Sequence, residues 1–228
     1  MNTIYDRTEK LLGAEKINKL KNSKVIVFGL GGVGGQAVEA LARTGIGRLG
    51  IADFDVVDVT NANRQIIALQ STIGKYKADA FKERLLDING VLKVDVYKEK
   101  VASESIDSFP LGDYDYVVDA IDDVPAKIML IKKAKSLGVP VISAMGAGNK
   151  SNPSKFKVSD VSKTHTCPLA KRIRKELGIS GIKDVKVVFS DEVPERFTEN
   201  VGPPASIAFV PAAAGLMIAA EVVHDLLL

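Results

Sequence analysis

The chain of 228 residues carries 31 Lys and Arg against 28 Asp and Glu, with 46% hydrophobic residues, which suits a soluble globular protein with one large core. Its single cysteine, Cys167, excludes an internal disulfide framework and fits a reducing compartment. The stretch before Lys24 is rich in Lys and Glu and lacks the apolar run of a signal peptide, so a cytoplasmic protein is expected.

Lys24-Val25-Ile26-Val27-Phe28 is a short apolar run that predicts a buried strand. Gly29-x-Gly31-Gly32-x-Gly34 follows and opens an amphipathic helix running to about Thr44. In such a motif one glycine allows a tight turn, one lets the backbone approach a phosphate, and one lets the helix pack closely on the strand. The phosphate meets free N–H groups at the positive end of the helix dipole, so a bound nucleotide is expected. Further strands are predicted at Arg48–Ala52, Leu92–Tyr97, Tyr114–Asp119 and Pro140–Ala144, alternating with helices at Tyr76–Ile88 and Val124–Leu137. That rhythm predicts an α/β fold: a doubly wound, Rossmann-like, mainly parallel sheet with helices on both faces and a C-terminal extension. Ligands of such sheets bind at the carboxyl ends of the strands, where Gly29–Gly34, Asp53 and Asp119–Asp123 fall.

Beyond Gly146 the rhythm changes. A turn at Gly146–Asn149 precedes a helix from Pro168 to Leu177, a strand near Val185–Phe189 and a three-proline loop over Asp191–Pro204. From Lys150 to Lys186 there are ten Lys and Arg against three Asp and Glu, while the rest of the chain is mildly acidic. Such a block is a solvated face or the footprint of a polyanion, nucleic acid first of all. The apolar run Ile207–Ala220 has 14 residues, short of the roughly 20 that span a bilayer, and predicts a buried or interface helix. The whole chain reads as one domain over 1–228, with a nucleotide-binding core at about 24–146, a basic substrate-side segment at about 147–204 and an apolar helix over 205–228.

Alone, the glycine motif fits a hydride-transfer dehydrogenase as well as an ATP-using enzyme. Asp53, 19 residues beyond Gly34, suits ribose hydroxyls of NAD or ATP alike. The next residues favour a triphosphate. Asn61-Ala62-Asn63-Arg64-Gln65 and Gly74-Lys75-Tyr76-Lys77 bring two cations and an amide towards the glycine loop, Arg as a planar fork and Lys as a movable point charge. Asp119-Ala120-Ile121-Asp122-Asp123 ends a strand at the same rim, and carboxylates beside a triphosphate usually hold Mg²⁺.

Taken together, Gly29-x-Gly31-Gly32-x-Gly34, Asp53-Phe54-Asp55, Asn61-x-x-Arg64-Gln65, Lys77 and Asp119-x-x-Asp122 resemble the ThiF/MoeB branch of the ubiquitin-activating-enzyme superfamily. Ala42–Gly47, Cys167-Pro168-Leu169-Ala170-Lys171 and Ser206–Pro211 look most like its tRNA threonylcarbamoyladenosine dehydratases. The resemblance implies an enzyme that adenylates a carboxylate with ATP and Mg²⁺. It implies that the loop of Gly29, Gly31, Gly32 and Gly34 cradles phosphates, that Asp53 binds the ribose, and that Asp55 and Asn61 belong to the nucleotide pocket. Arg64 and Lys77 would neutralise the triphosphate and Asp122 would hold the metal. Arg7, in Tyr5-Asp6-Arg7, matches an arginine that reaches the γ-phosphate from the partner subunit of a homodimer. The implied substrate is tRNA bearing threonylcarbamoyl-adenosine, and a cysteine-desulfurase or sulphur-acceptor partner and a monovalent cation stay open.

Relatives that activate sulphur-carrier proteins usually hold a zinc ion on four cysteines, which a chain with one cysteine cannot do. They also use a cysteine as acyl acceptor; Cys167 is the candidate, with Lys163, His165 and the following helix start to lower its pKa. A dehydratase needs no thiol, because its nucleophile lies in the same substrate. Two alternatives remain at this stage: adenylation of a sulphur-carrier protein, and an NAD-binding regulator or oxidoreductase.

Overall fold

The central strand Lys24–Phe28 carries no alternation of apolar and polar residues because both of its faces are covered. The computed structural model describes residues 3–195, 202 and 204–228. Its strands are β1 (Lys24–Phe28), β2 (Arg48–Ala52), β3 (Lys93–Tyr97), β4 (Tyr116–Asp119), β5 (Val141–Ala144), β6 (Phe156–Asp160) and β7 (Lys186–Ser190). They form one sheet in the order β3-β2-β1-β4-β5-β7-β6, parallel except for β6, which runs against β7. The helices are α1 (Asp6–Leu12), α2 (Ala14–Asn22), α3 (Gly34–Thr44), α4 (Lys77–Ile88), α5 (Val124–Ser136), α6 (Pro168–Ile179) and α7 (Phe209–Leu227).

Successive residues of a strand point to opposite faces, and the core divides accordingly. Val25 and Val27 of β1 pack with Leu41 of α3, Phe81 of α4 and Ile218 of α7. Ile26 and Phe28 pack on the other side with Leu130 of α5 and Ile173 of α6. Each such side chain contributes roughly 1.5–3 kcal/mol when taken from water. The doubly wound sheet inferred from the sequence is therefore the architecture observed.

The C-terminal helix is part of this core. Among the described residues α7 is the one helix long and apolar enough to cross a membrane, yet Val210, Ala214, Ile218 and Val222 are buried against the protein. Its last turns are fixed by polar contacts to the sheet. Tyr116 Oη donates to Asp225 Oδ2 at 2.6 Å, and Lys186 Nζ reaches both Asp225 oxygens at 2.6 and 2.8 Å. Burial and the Asp225 carboxylate together hold the Tyr116 phenol well above its ordinary pKa. Asp225→Ala leaves the buried Tyr116 phenol without its acceptor and Lys186 with only Glu221 Oε2 at 3.2 Å, and it is expected to cost about 1–3 kcal/mol in urea denaturation. A change within ~0.5 kcal/mol would show that α7 docks through apolar contacts alone.

Three features depart from the sequence reading. The N-terminal stretch forms α1 and α2; α1 is short and buries no residue, so it has no apolar stripe to read. β6 is an edge strand, Phe156-Lys157-Val158-Ser159-Asp160, in which only Phe156 is fully buried, so no apolar run marks it. Helix α7 starts at Phe209, a little later than the 205 expected. Of the predicted loop Asp191–Pro204, residues 196–201 and 203 lie outside the described residues, and Asp191–Glu195 are irregular.

Candidate active site

The chain leaves β1 for β2 on one side and returns to β4 on the other, so a crevice opens where these strands end. Gly29 sits at φ +82°, and a Cβ there would lie 2.6 Å from the Ala120 carbonyl oxygen, which only glycine tolerates. A Cβ on Gly34 would lie 1.8 Å from the Gly29 oxygen. The helix start is thus pressed against the loop, whose Gly31, Gly32 and Val33 line a cleft of about 800 Å³.

Gly29, Gly31, Gly32, Asp53, Asp55, Asn61, Arg64, Lys77 and Asp122 all line this cleft. Asp53 follows β2 and is buried. Its Oδ2 accepts from the Leu30 N–H at 2.7 Å and its Oδ1 from the Asp55 N–H at 2.9 Å, tying the second strand's end to the glycine loop. Burial raises the Asp53 pKa, opposed by the field of Lys77 and the two N–H groups. Lys77 is the first residue of α4 and is itself buried, with its Nζ 2.8 Å from Asp55 Oδ2 and 4.0 Å from Asp53 Oδ1. The sequence predicts Lys77 beside a triphosphate; in the structure two carboxylates hold its ammonium in the cleft.

A 3-10 turn at Val59–Asn61, capped by Asp58, presents the next residues. Arg64 Nη1 donates to Thr60 O at 3.1 Å and Asn63 Oδ1 at 2.9 Å, which orients the guanidinium at the rim. Gln65 closes the Asn61–Gln65 motif. It is buried in the cleft wall, and among the described residues its Oε1 has no hydrogen-bond partner. A buried acceptor left open beside the glycine loop is an expensive arrangement unless a ligand donor meets it.

The carboxylates after β4 separate into three jobs. Asp119 is not a rim residue: it is fully buried and bonded to Lys127 Nζ at 2.8 Å and Ser143 Oγ at 2.6 Å. Asp123 caps α5 by accepting from the Ala126 N–H at 2.9 Å. Asp122 is exposed, as Asp123 is, but among the described residues its carboxylate makes no hydrogen bond or ion pair. Lys127 looks like a surface helix residue in the sequence; only β4 and β5 lying side by side reveal its partners, since Asp119 is in register with Ser143.

Two further expectations change. Arg7 lies exposed on α1 and does not line this chain's own cleft, while neighbouring Tyr5 is buried and accepts from Asn89 Nδ2 at 2.6 Å. Cys167 lies in the cleft wall before α6, but the nearby buried cation is Lys150, where the sequence had offered Lys163 and His165. His165 instead packs its ring edge against Phe189 at 5.2 Å. On α6, Arg174 braces Thr164 through bonds of 2.6 and 2.8 Å, leaving Lys171, Arg172 and Lys175 exposed.

Fold and cleft define a nucleotide-binding α/β protein whose site gathers cations and, among the described residues, one unpaired carboxylate beside a glycine loop. The ThiF family model matches residues 5–227, and the chain belongs to that family. It is 45% identical to the tRNA threonylcarbamoyladenosine dehydratase of Bacillus subtilis over 98% of this chain and 94% of that protein. The Escherichia coli dehydratase is 39% identical over 76% of this chain and 65% of its own length. The solved E. coli tRNA N6-threonylcarbamoyladenosine dehydratase in complex with ATP superposes with a TM-score of 0.90 at 33% identity, covering 97% of this chain and 93% of that one. E. coli MccB with ATP, at 24% identity and a TM-score of 0.71, shares the fold.

Proposed function

We propose that this chain is an ATP-dependent dehydratase of threonylcarbamoyl-adenosine in tRNA. The observation that carries the reading is the cleft itself: the glycine loop, Asp53, Arg64, Lys77 and Asp122 converge at the strand ends of a chain so similar to dehydratases. In this reaction the threonyl carboxylate attacks the α-phosphate of ATP and expels pyrophosphate. An atom of the ureido group then attacks the activated carbonyl, the ring closes, the ureido group loses a proton, and AMP leaves with one former carboxylate oxygen. The nucleoside has lost the elements of water. A carboxylate is a poor acyl donor and its mixed anhydride a good one, while a nucleophile held within the same substrate gains a large effective molarity.

The residues take simple roles. N–H groups at the start of α3 receive phosphate oxygens, Asp53 receives the ribose hydroxyls, and Arg64 and Lys77 neutralise charge that grows as pyrophosphate departs. Among the described residues no cluster of three or more His, Cys, Asp or Glu could hold a metal by itself. Asp122 fits the habit of Mg²⁺, which binds one or two carboxylates and completes its shell with phosphate oxygens and water. Magnesium bound there would add charge stabilisation at the phosphates.

Asp53 and Asp122 should therefore fail differently. Asp122→Asn is expected to raise the Mg²⁺ concentration for half-maximal rate by about tenfold or more, the loss typical of a weakened metal site. Asp53→Asn is expected mainly to weaken ATP binding, since a bond to a charged group is worth about 1.5–3 kcal/mol. Magnesium titrations of both variants check this; identical metal dependence would mean that one carboxylate is misassigned.

The whole chain acts as one adenylation domain in this reading, and the cytoplasm supplies its ATP and tRNA. Exposed Lys171, Arg172 and Lys175 offer the RNA backbone a basic helix face. Exposed apolar residues such as Leu11 and Leu216 suit a homodimer, in which Arg7 reaches the partner's cleft. A monovalent cation in the site and a sulphur-transfer partner belong to the same proposal as open accessories. The test is mass spectrometry of tRNA nucleosides from cells lacking this protein. The cyclised nucleoside should vanish and its open precursor accumulate; an unchanged nucleoside profile would overturn the reading.

A further inference from the structure

Two lysines are buried near the cleft, and they are treated differently. Lys127 is fully buried and uses all its donors, on Asp119, Ser143 Oγ at 3.1 Å and the Ala144 oxygen at 2.9 Å. Lys150 is 5% exposed and lines the cleft, yet its Nζ makes one bond, to the Gly146 oxygen at 2.7 Å. Among the described residues no carboxylate oxygen lies within 4.0 Å of that nitrogen. The charged and titratable groups around it are Cys167, Glu192 and Asp191. Glu192 is held by the N–H groups of Ser151 at 2.8 Å and Asn152 at 3.0 Å, and Asp191 Oδ2 pairs with Lys157. Asp191 Oδ1 is buried without a hydrogen bond but stays beyond ion-pair distance of Lys150. Burial pushes the Lys150 amine below the ordinary lysine range.

An ammonium taken from water with two donors open is costly unless an anion arrives to meet it. The place of Lys150 says which anion. Arg64 and Lys77 stand with the glycine loop at the ends of β1 and β2, where phosphates belong. Lys150 follows the turn after β5, two strands from β1 in the sheet, and shares the cleft wall with Gly146, Cys167 and Leu169. Gly146 joins the two groups of this wall: its oxygen accepts from Lys150, and a Cβ on it would touch Cys167 Sγ at 3.6 Å.

We propose that Lys150 is the acyl-side cation of the cleft, binding the substrate carboxylate before adenylation and the carbonyl oxygen of the acyl-adenylate afterwards. The inference rests on the dehydratase reading and adds a residue and a role to it. In the first step Lys150 holds one carboxylate oxygen while the other attacks phosphorus. In the second, the ureido atom bonds to the carbonyl carbon, and the C=O electron pair moves onto the oxygen that Lys150 faces. That pair returns as the bond to the AMP oxygen breaks. Lys150 donates hydrogen bonds throughout and transfers no proton.

The test compares wild type with Lys150→Met, an uncharged chain of similar length, on two RNA substrates: the natural acid and its carboxamide. Wild type is expected to bind the acid at least about tenfold more tightly, as a site built for a polar partner rejects its analogue. Lys150→Met should bind the two alike and close the ring about 100-fold more slowly, the loss of one charge-stabilising donor. Its affinity for a non-hydrolysable ATP analogue should stay within about twofold, because Lys150 lies outside the phosphate end. Discrimination retained by Lys150→Met would overturn the proposal. If that variant fails to fold, amine labelling of wild type decides: the acid RNA should shield Lys150 and the carboxamide should not, and equal labelling overturns it. A wild type that never cyclises the acid would fail the dehydratase reading instead, which separates the two outcomes.

Discussion

Lys77→Met is expected to lower the single-turnover rate of ring closure by about 10²–10³-fold, the loss seen when one preorganised donor is removed from developing charge. The first residue of α4 places the side chain inside the cleft, and Asp55 and Asp53 fix the ammonium before any nucleotide arrives. Little reorganisation is then left for the reaction. Because the side chain is buried, its removal is also expected to cost stability. Burial already raises the Asp53 pKa, and loss of the nearest cation raises it further. A carboxylate whose folded pKa lies above its unfolded value weakens stability as pH rises through that range, and contributes nothing in acid where both states are protonated. Relative to wild type, the variant's thermal deficit should therefore be larger at pH ~7 than at pH ~4. Activity within about twofold of wild type would remove Lys77 from the phosphate site, whatever its effect on melting.

Lys127→Ala is expected to cause the largest loss of stability, about 3–5 kcal/mol, because it strands a fully buried carboxylate. Asp119 would keep Ser143 Oγ and the Ile121 N–H, at 2.6 and 3.2 Å, but lose its counter-charge in a site that excludes water. For a chain of this length the loss corresponds to roughly 6–20 °C in melting temperature. The loop from Ala120 to Asp123 is anchored at Asp119, so surviving protein should also bind Mg²⁺–ATP more weakly. Replacing both partners with apolar residues, as in Asp119→Leu with Lys127→Met, should recover part of the stability without recovering activity. Equilibrium unfolding in urea measures this. A single variant as stable as the wild type would mean that the Lys127–Asp119 pair contributes nothing to folding.

These two lysines show what a sequence exposes and what it hides. β1, β2 and α3 could be read to the residue, because continuous apolar runs, a glycine motif and a helical period are local signals. Asp53 and Lys77 were legible for the same reason, one following a predicted strand and the other in the first turn of a predicted helix, while Arg64 was marked by the Asn61–Gln65 motif. Lys127 and Lys150 were not legible. Burial of a charged side chain depends on partners that only the strand order supplies, and nothing nearby in the sequence of either lysine marks it. The orphan acceptor of Gln65 is likewise a property of packing, visible only when the glycine loop is folded over it. β6 and α1 were missed because neither carries an apolar face of its own. Arg174 shared a helix face with Lys171 and Lys175 by spacing, but the preceding turn had already claimed its guanidinium.

The central claim is that ring closure is driven by adenylation of the substrate's own carboxylate. The most direct measurement is to mix the purified protein with Mg²⁺, ATP and tRNA carrying uncyclised threonylcarbamoyl-adenosine, and to count products. Substrate labelled with ¹⁸O in the threonyl carboxylate makes the count unambiguous. The account predicts one AMP and one pyrophosphate per nucleoside closed, with one labelled oxygen recovered in AMP. ADP and phosphate as products, or AMP free of label, would contradict it.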